Sequence, residues 1–122
     1  MRSARLEREL LSTRFMAILR GLEEQQLISL AHALARSGVR VVEVPLTSPE
    51  SVSQIAALRS ALPSDVLVGA GTVLDQRQAA HAHESGAEFL VTPHVAPDVA
   101  AYATDQGLGM VCGAMTPTEV LQ

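Results

Sequence analysis

Three glycines, Gly38, Gly86 and Gly107, stand where a helical pattern stops and an apolar run begins. Glycine commonly ends a helix because it adopts the left-handed backbone conformation without a steric penalty. A glycine that leads at once into a strand is typical of the short loop between a helix and a strand. The repeat of this signal therefore predicts a chain in which helices and strands alternate.

The segments around these glycines have the matching periodicities. Leu27, Leu30, Ala31 and Leu34 recur at the spacing of one helix face, and Ser48 is predicted to cap a helix that has Pro49 at its first position. After an N-terminal helix at 4–12, strands are predicted at 15–19, 39–46, 65–71, 87–93 and 108–114, and helices at 23–38, 48–62, 75–86, 96–107 and 116–122.

This order predicts a parallel sheet, because strands joined by crossover helices run in the same direction. The two architectures open to such a chain are a doubly wound sheet and part of a closed (β/α)8 barrel. The segment GAGTVLD at 69–75 has two glycines of a dinucleotide-binding fingerprint, but Leu74 occupies the third glycine position. The doubly wound nucleotide-binding alternative is therefore disfavoured.

Composition restricts the partners and the number of domains. The 122 residues and the hydrophobic fraction of 48% are enough for a single domain, which we assign to residues 1–122. A net charge of -4 predicts neither nucleic acid nor a membrane as partner, because both attract basic surfaces. No run has the length of a bilayer span and no signal peptide is recognisable, so a cytoplasmic location is predicted.

Polar residues concentrate at the predicted carboxyl ends of the strands, where parallel α/β proteins bind their ligands. Glu43 lies within an apolar strand, so it is either paired with an arginine such as Arg20 or is a carboxyl group with a raised pKa that transfers protons. Arg20 can hold a carboxylate or a phosphate, or can be a solvated charge. Gly71 and Thr72 leave backbone amides open to a small anion, although a tight turn would also explain them.

The remaining reactive side chains give weaker signals. His81 and His83 are two residues apart on a predicted helix and so face different directions, which predicts no metal site. His94 follows a strand end as a loop residue that could line a pocket. Cys112 is the single cysteine, which excludes an internal disulfide, and it is predicted to be a small buried residue.

Five motifs in a fixed order resemble the 2-keto-3-deoxy-6-phosphogluconate aldolase family over about residues 14–122. They are FMAILRG, VVEVPLTSP, VGAGTVLD, FLVTPH and TPTE. The arginine of ILRG and the PLTSP loop look more like the 2-dehydro-3-deoxy-6-phosphogalactonate branch, since the phosphogluconate branch has an arginine where this chain has Thr47. The resemblance implies the N-terminal part of a (β/α)8 barrel, with about five parallel βα units after a short helix.

The same resemblance implies a lyase that works through a Schiff base, without metal or cofactor. Family members reversibly cleave a 2-keto-3-deoxy-6-phospho sugar acid to pyruvate and D-glyceraldehyde 3-phosphate, as in Entner–Doudoroff carbohydrate metabolism, and commonly form homotrimers.

Particular roles follow from the resemblance residue by residue. Glu43 matches the general acid/base, and Arg20, Gly71 and Thr72 match groups that hold the pyruvate carboxylate. Pro93 matches a proline on the pocket floor, and Thr116 lies on the same rim.

One departure from the family pattern concerns the nucleophile. All nine basic residues counted as Lys plus Arg are arginine, so the family's imine-forming lysine on strand six is missing. The sequence therefore predicts a barrel truncated before strand six and inactive by itself. The alternative is a noncatalytic partial barrel that acts by self-association or by pairing with a complementary segment.

Overall fold

The computed structural model describes all 122 residues, Met1–Gln122. Helices and strands alternate along the chain after an initial helix. The helices are α1 (Arg2–Thr13), α2 (Glu24–Arg36), α3 (Ser51–Ala61), α4 (Gln76–Glu84), α5 (Pro97–Asp105) and α6 (Pro117–Val120). The strands are β1 (Ala17–Ile18), β2 (Val41–Pro45), β3 (Leu67–Gly71), β4 (Phe89–Val91) and β5 (Gly109–Val111). Each strand begins one or two residues inside its predicted run.

The strands form one parallel sheet whose spatial order, β1-β2-β3-β4-β5, is also their order in the chain. Glu43 of β2 is opposite Ile18 of β1 and Gly69 of β3. The predicted parallel arrangement of five βα units is therefore confirmed. The edge of the sheet where the strands end is called the carboxyl rim below, and the opposite edge the amino rim.

One face of the sheet, the outer face, is covered by α2, α3, α4 and α5. Val42, Val44, Val68, Ala70 and Leu90 supply the strand side of this core. The helices contribute residues at helical spacing, among them Leu27 and Ala31 of α2, Ile55 and Leu58 of α3, Ala79 and Ala82 of α4, and Val99 and Ala103 of α5. Apolar burial on this scale is the main stabilising contribution to such a unit.

The other face, the inner face, has a smaller core near the amino rim. Leu6 of α1 packs there with Val41, Leu67 and Phe89. Successive strand residues point to opposite faces, so Glu43 shares the inner face with Val41, two residues earlier. The inner face is less covered at β1, where Ile18 is 56% exposed.

The glycines at the helix ends have the predicted conformation. The φ angles are +102° at Gly38, +108° at Gly86 and +66° at Gly107, and each glycine follows the last turn of a helix. An L-amino acid with a side chain would be strained at these positions. The prediction that these glycines end helices is therefore confirmed.

The prediction that Ser48 caps α3 is wrong. The helix begins at Ser51 without a side-chain cap, and Pro49 and Glu50 form a turn before it. Ser48 instead donates its amide hydrogen to the hydroxyl of Ser51 at 3.3 Å, and the two hydroxyl oxygens are 3.2 Å apart. The buried Ser51 thus holds the turn to the start of the helix.

Among the helices, none combines the length and the apolar character needed to cross a bilayer.

Candidate active site

Glu43 is the only carboxylate in the buried part of the sheet. It is 4% exposed, in a strand whose five residues are all buried. Its Oε2 atom is removed from solvent and has no hydrogen-bond partner. A buried acceptor without a partner is costly, and such groups in native structures are associated with function or with a missing ligand.

The carboxyl group of Glu43 extends across β2 toward Gly71 of β3. A Cβ atom built at Gly71 would overlap the carboxyl group, with Cδ and Oε1 both at 2.5 Å. Two of the residues predicted for the site therefore meet on the inner face at the carboxyl rim. The strand register brings the two residues within reach. Glu43 pairs with Gly69, and Gly71, which pairs with Pro45, is the next residue of β3 on the same face.

Burial raises the pKa of the Glu43 carboxyl group to about 7, and the positive charge of Arg20 opposes part of the rise. Arg20 is exposed and does not take part in any of the three ion pairs of the structure. The alternative reading of Glu43 as one half of an Arg20 ion pair is therefore wrong. A carboxyl group with a pKa near neutrality can accept and donate protons at physiological pH.

Thr72 directly follows Gly71 and has an unusual backbone conformation. Its φ angle is +52°, in the left-handed region that β-branched residues rarely adopt. The residue is half-buried. A conformation of this kind costs about 1–3 kcal/mol and is found most often at ligand-binding and catalytic sites.

Pro93 and Thr116 lie farther along the same rim. Pro93 is exposed and follows β4. Gly113 lies close to it, since a Cβ atom built at Gly113 would overlap the backbone of Pro93. The Thr116 hydroxyl caps α6: it donates to Oε2 of Glu119 at 2.7 Å and accepts from the Glu119 amide at 3.3 Å. This contact lowers the pKa of Glu119. The structure gives neither Pro93 nor Thr116 a contact with Glu43.

The other reactive residues form no hydrogen bond with Glu43. His94 is an exposed loop residue whose Nδ1 is 3.0 Å from the carbonyl oxygen of Val95. The prediction of a buried Cys112 is wrong, since the residue is exposed. Cys112 lies just past the end of β5 and lines an open groove with Val120 and Gln122 of the α6 region. No three His, Cys, Asp or Glu side chains come together as a metal site.

The site is open. None of the surface cavities is lined by Glu43, Arg20, Gly71 or Thr72. Small-molecule sites are normally concave and enclose most of the ligand. These residues therefore do not enclose a ligand by themselves.

Phe89 is a neighbouring residue whose part in this arrangement was not predicted from the sequence. The ring of Phe89 occupies the space beside Gly69, where a Cβ atom would lie 2.5 Å from Cε2 and Cζ. Gly69 is the strand partner of Glu43, so Phe89 fills the layer of the inner face next to the carboxylate. The glycines at 69 and 71, two residues apart on one face of a strand, were the available signal.

The sequence and the fold match proteins of one family. Residues 6–122 match the family model described as KDPG and KHG aldolase. The chain therefore belongs to the KDPG and KHG aldolase family.

Two curated relatives are similar over most of this chain. A probable 2-dehydro-3-deoxy-6-phosphogalactonate aldolase of Rhizobium meliloti is 36% identical over 106 residues, which are 87% of this chain and 50% of the relative. A 2-dehydro-3-deoxy-phosphogluconate aldolase of Treponema pallidum is 39% identical over 93 residues, 76% of this chain and 44% of the relative. The chain thus spans about half the length of the curated relatives it matches.

Solved structures show the same fold. The 2-keto-3-deoxy-6-phosphogluconate aldolase of Zymomonas mobilis superposes with a TM-score of 0.78 at 29% identity, over 87% of this chain and 50% of that one. A cube-shaped protein cage designed by fusing symmetric oligomeric domains gives a TM-score of 0.82 at 33% identity, over 87% of this chain and 39% of that one. The five βα units are the N-terminal part of a (β/α)8 barrel, as predicted.

Proposed function

We propose that this chain supplies the part of the active site of a class I aldolase that contains its general acid/base. The reaction is the reversible cleavage of a 2-keto-3-deoxy-6-phospho sugar acid to pyruvate and D-glyceraldehyde 3-phosphate. The observation that supports it most is the buried Glu43 carboxyl group at the carboxyl rim, with an unpartnered Oε2 and a pKa raised to about 7. The noncatalytic alternative is not favoured, because both curated relatives described above are aldolases.

In this proposal Glu43 moves the protons of the reaction. Aldol cleavage removes a proton from the substrate hydroxyl group and returns one to the carbon that becomes the methyl group of pyruvate. A carboxyl group with a pKa near 7 exists in both protonation states at neutral pH and so serves both steps. A water molecule would connect it with atoms that it does not reach directly.

The pyruvate carboxylate would be held by Arg20, by the backbone of Gly71 and Thr72 and by the Thr72 hydroxyl group. A guanidinium binds a carboxylate through two parallel hydrogen bonds, and a bare glycine backbone lets an anion approach the amide groups. The left-handed backbone at Thr72 supports this role, because strained residues are retained where they position ligands. Pro93 would shape the pocket floor. Thr116, whose hydroxyl group caps α6, would bind substrate from the edge of the site.

The imine-forming nucleophile must come from outside these 122 residues. Imine formation requires a primary amine, and no side chain of this sequence supplies one, because it contains arginine but no lysine. We expect no aldolase turnover from these residues alone. Thr47, where the phosphogluconate branch has an arginine, supports a phosphogalactonate substrate.

The proposal extends to assembly and location. Residues 1–122 would belong to one domain, and the complete protein would form a homotrimer. The match to a cage built from symmetric oligomeric domains supports an oligomeric state. A cytoplasmic location and a place in Entner–Doudoroff sugar-acid metabolism are proposed on the family relationship.

The test is to incubate the gene product, as the cell makes it, with pyruvate and borohydride and to measure its intact mass. A mass above 12.9 kDa that carries one reduced pyruvate is expected, with tryptic peptides placing the adduct on a lysine beyond residue 122. A gene product of 12.9 kDa without an adduct would contradict the imine mechanism.

The role of Glu43 is tested in the same gene product by Glu43→Gln. Pyruvate release from 2-dehydro-3-deoxy-6-phosphogalactonate should fall about 10²–10⁴-fold, the usual contribution of a general acid/base. His94→Gln at the exposed loop is the matched control and should keep most of the activity. Full activity in Glu43→Gln would refute the assignment.

A further inference from the structure

The central strand β3 has no side chain at two alternating positions of its inner face, Gly69 and Gly71. The neighbouring strands fill both spaces. The Phe89 ring from β4 occupies the space at Gly69, and the Glu43 carboxyl group from β2 occupies the space at Gly71. The two glycines therefore admit two different side chains from opposite sides.

The backbone at Gly71 does not itself require glycine. Gly71 is the last residue of β3, and it is not among the residues with positive φ. An alanine could adopt this conformation. The conflict would arise from space alone, because a Cβ atom there would overlap Oε2, Cδ and Oε1 of Glu43.

The carboxyl group has few polar contacts to hold it in place. Its Oε2 has no hydrogen-bond partner, and none of the ion pairs includes Glu43. The shape of the surrounding surface must then determine where the carboxyl group lies. Gly71 supplies the space that the group occupies.

We propose that Gly71 is a positioning residue, whose missing side chain forms the seat that holds the Glu43 carboxyl group on the inner face at the carboxyl rim. Its catalytic meaning rests on the function proposed for Glu43, whereas the seat itself needs no substrate. This role is separate from the proposed contact of the Gly71 backbone with the pyruvate carboxylate.

A double-mutant cycle in the gene product, as the cell makes it, tests the seat by urea denaturation. Gly71→Ala should lower the denaturation midpoint strongly, because the methyl group and the carboxyl group compete for one space. In a Glu43→Ala background the same substitution should have little effect, because the space is then vacant. Equal losses in both backgrounds would overturn the proposal.

The cycle remains informative if the Gly71→Ala single variant does not fold. The double variant Gly71→Ala/Glu43→Ala should then fold with the midpoint of Glu43→Ala, and this rescue would support the seat. A double variant that also fails to fold, when Glu43→Ala folds, would contradict it.

A second measurement separates positioning from general destabilisation. The Glu43 carboxyl group is titrated by carbon-13 NMR in the unmodified chain and in variants that stay folded, with its signal assigned by its loss in Glu43→Ala. Gly71→Ala should displace the group toward solvent and lower its pKa toward the ordinary value. An unchanged titration would contradict the proposal.

Gly69→Ala is the matched control in the same strand. Its methyl group would meet the ring of Phe89 and not the carboxyl group, so it should lower stability and leave the Glu43 titration close to that of the unmodified chain. Equal shifts in the Gly69 and Gly71 variants would show a general loss of packing and overturn the seat. No substrate is used, so these results are independent of the aldolase test.

Discussion

Glu43 and Glu88 lie in the same sheet but at opposite rims, and their surroundings differ in kind. Oε2 of Glu88, at the start of β4, accepts from Nη1 of Arg59 at 2.6 Å and from the Val68 amide at 2.9 Å. Oε2 of Glu43 is more deeply buried and accepts from no group. One carboxylate is satisfied by the protein, and the other is left with an unused acceptor.

The difference separates a rim where the buried carboxylate is paired from one where it is not. At the amino rim the guanidinium of Arg59 also donates to the carbonyl oxygens of Val66, Leu62 and Pro63, so it ties α3 to the sheet. At the carboxyl rim Oε2 of Glu43 has no such partner. In parallel α/β proteins the carboxyl ends of strands are the usual place for catalysis.

The largest expected contrast is in the response to pH. Burial raises the pKa of the Glu43 carboxyl group in the folded chain from its ordinary value of 4.5 to about 7, so the folded chain binds the proton more tightly than the unfolded chain. The free energy of unfolding should therefore decrease by roughly 3 kcal/mol as the pH rises from 4.5 to 7. Above pH 7 this group should contribute little further change.

Urea denaturation at pH 5 and pH 8 measures this contrast, with Glu43→Gln as the control. The variant has no ionisable group at this position and should lose most of the decrease. If Glu43→Gln and the unmodified chain respond equally to pH, the carboxyl group is not the source and the contrast between the two glutamates fails.

The next effect concerns the satisfied carboxylate. Glu88→Ala removes the acceptor for Arg59 and for the Val68 amide and should lower the free energy of unfolding by about 2 kcal/mol. Asp65→Ala removes the acid of the more exposed Arg40–Asp65 pair, 3.5 Å apart, and should change stability by less than about 1 kcal/mol. Similar losses in the two variants would remove the distinction between a structural and a surface pair.

A smaller and local effect is expected at α6. Thr116→Val removes the hydroxyl group that caps the helix, so the backbone amides of Glu119 and Val120 should exchange with solvent several-fold faster. Thr118→Val, in the same helix, keeps the cap and should leave exchange unchanged. Unaltered exchange in Thr116→Val would mean that the hydroxyl group is free to serve a ligand.

The smallest effect is expected at Thr72. Thr72→Gly relieves the left-handed backbone and should raise the free energy of unfolding by about 0.5 kcal/mol after the added flexibility of glycine is counted. Thr47→Gly is the control at a residue without positive φ, where the same change should be neutral or destabilising. A loss of stability in Thr72→Gly would show that the Thr72 side chain stabilises more than the strain costs.

Much of the fold could be predicted because its signals are local. The periodic apolar residues of α2 and the glycines at positions 38, 86 and 107 depend only on a few neighbours along the chain. The failed prediction for Ser48 also concerns local contacts, but ones that composition does not distinguish. A serine before a proline has the composition of a cap, but the buried hydroxyl of Ser51 accepts from the Ser48 amide, and the helix begins at Ser51 instead of at Pro49.

The site was predictable in its parts but not in its packing. The position of Glu43 within an apolar strand indicated a perturbed carboxyl group, and the strand ends indicated the rim. The meeting of Glu43 with Gly71 depends on the register between β2 and β3, which the sequence does not state. The exposure of Cys112 likewise depends on how far α5 and α6 cover the end of β5.

The sequential order of the strands has a consequence for how the chain folds. Each strand pairs with the strand immediately before it, so no strand has to insert between two that are already paired. Each pairing joins residues only 20 to 26 positions apart, and the sheet can grow in the order of synthesis. The exception is α1, whose Leu6 packs against Gly109 of β5, so the first helix to be made reaches its final position only after the fifth strand has formed.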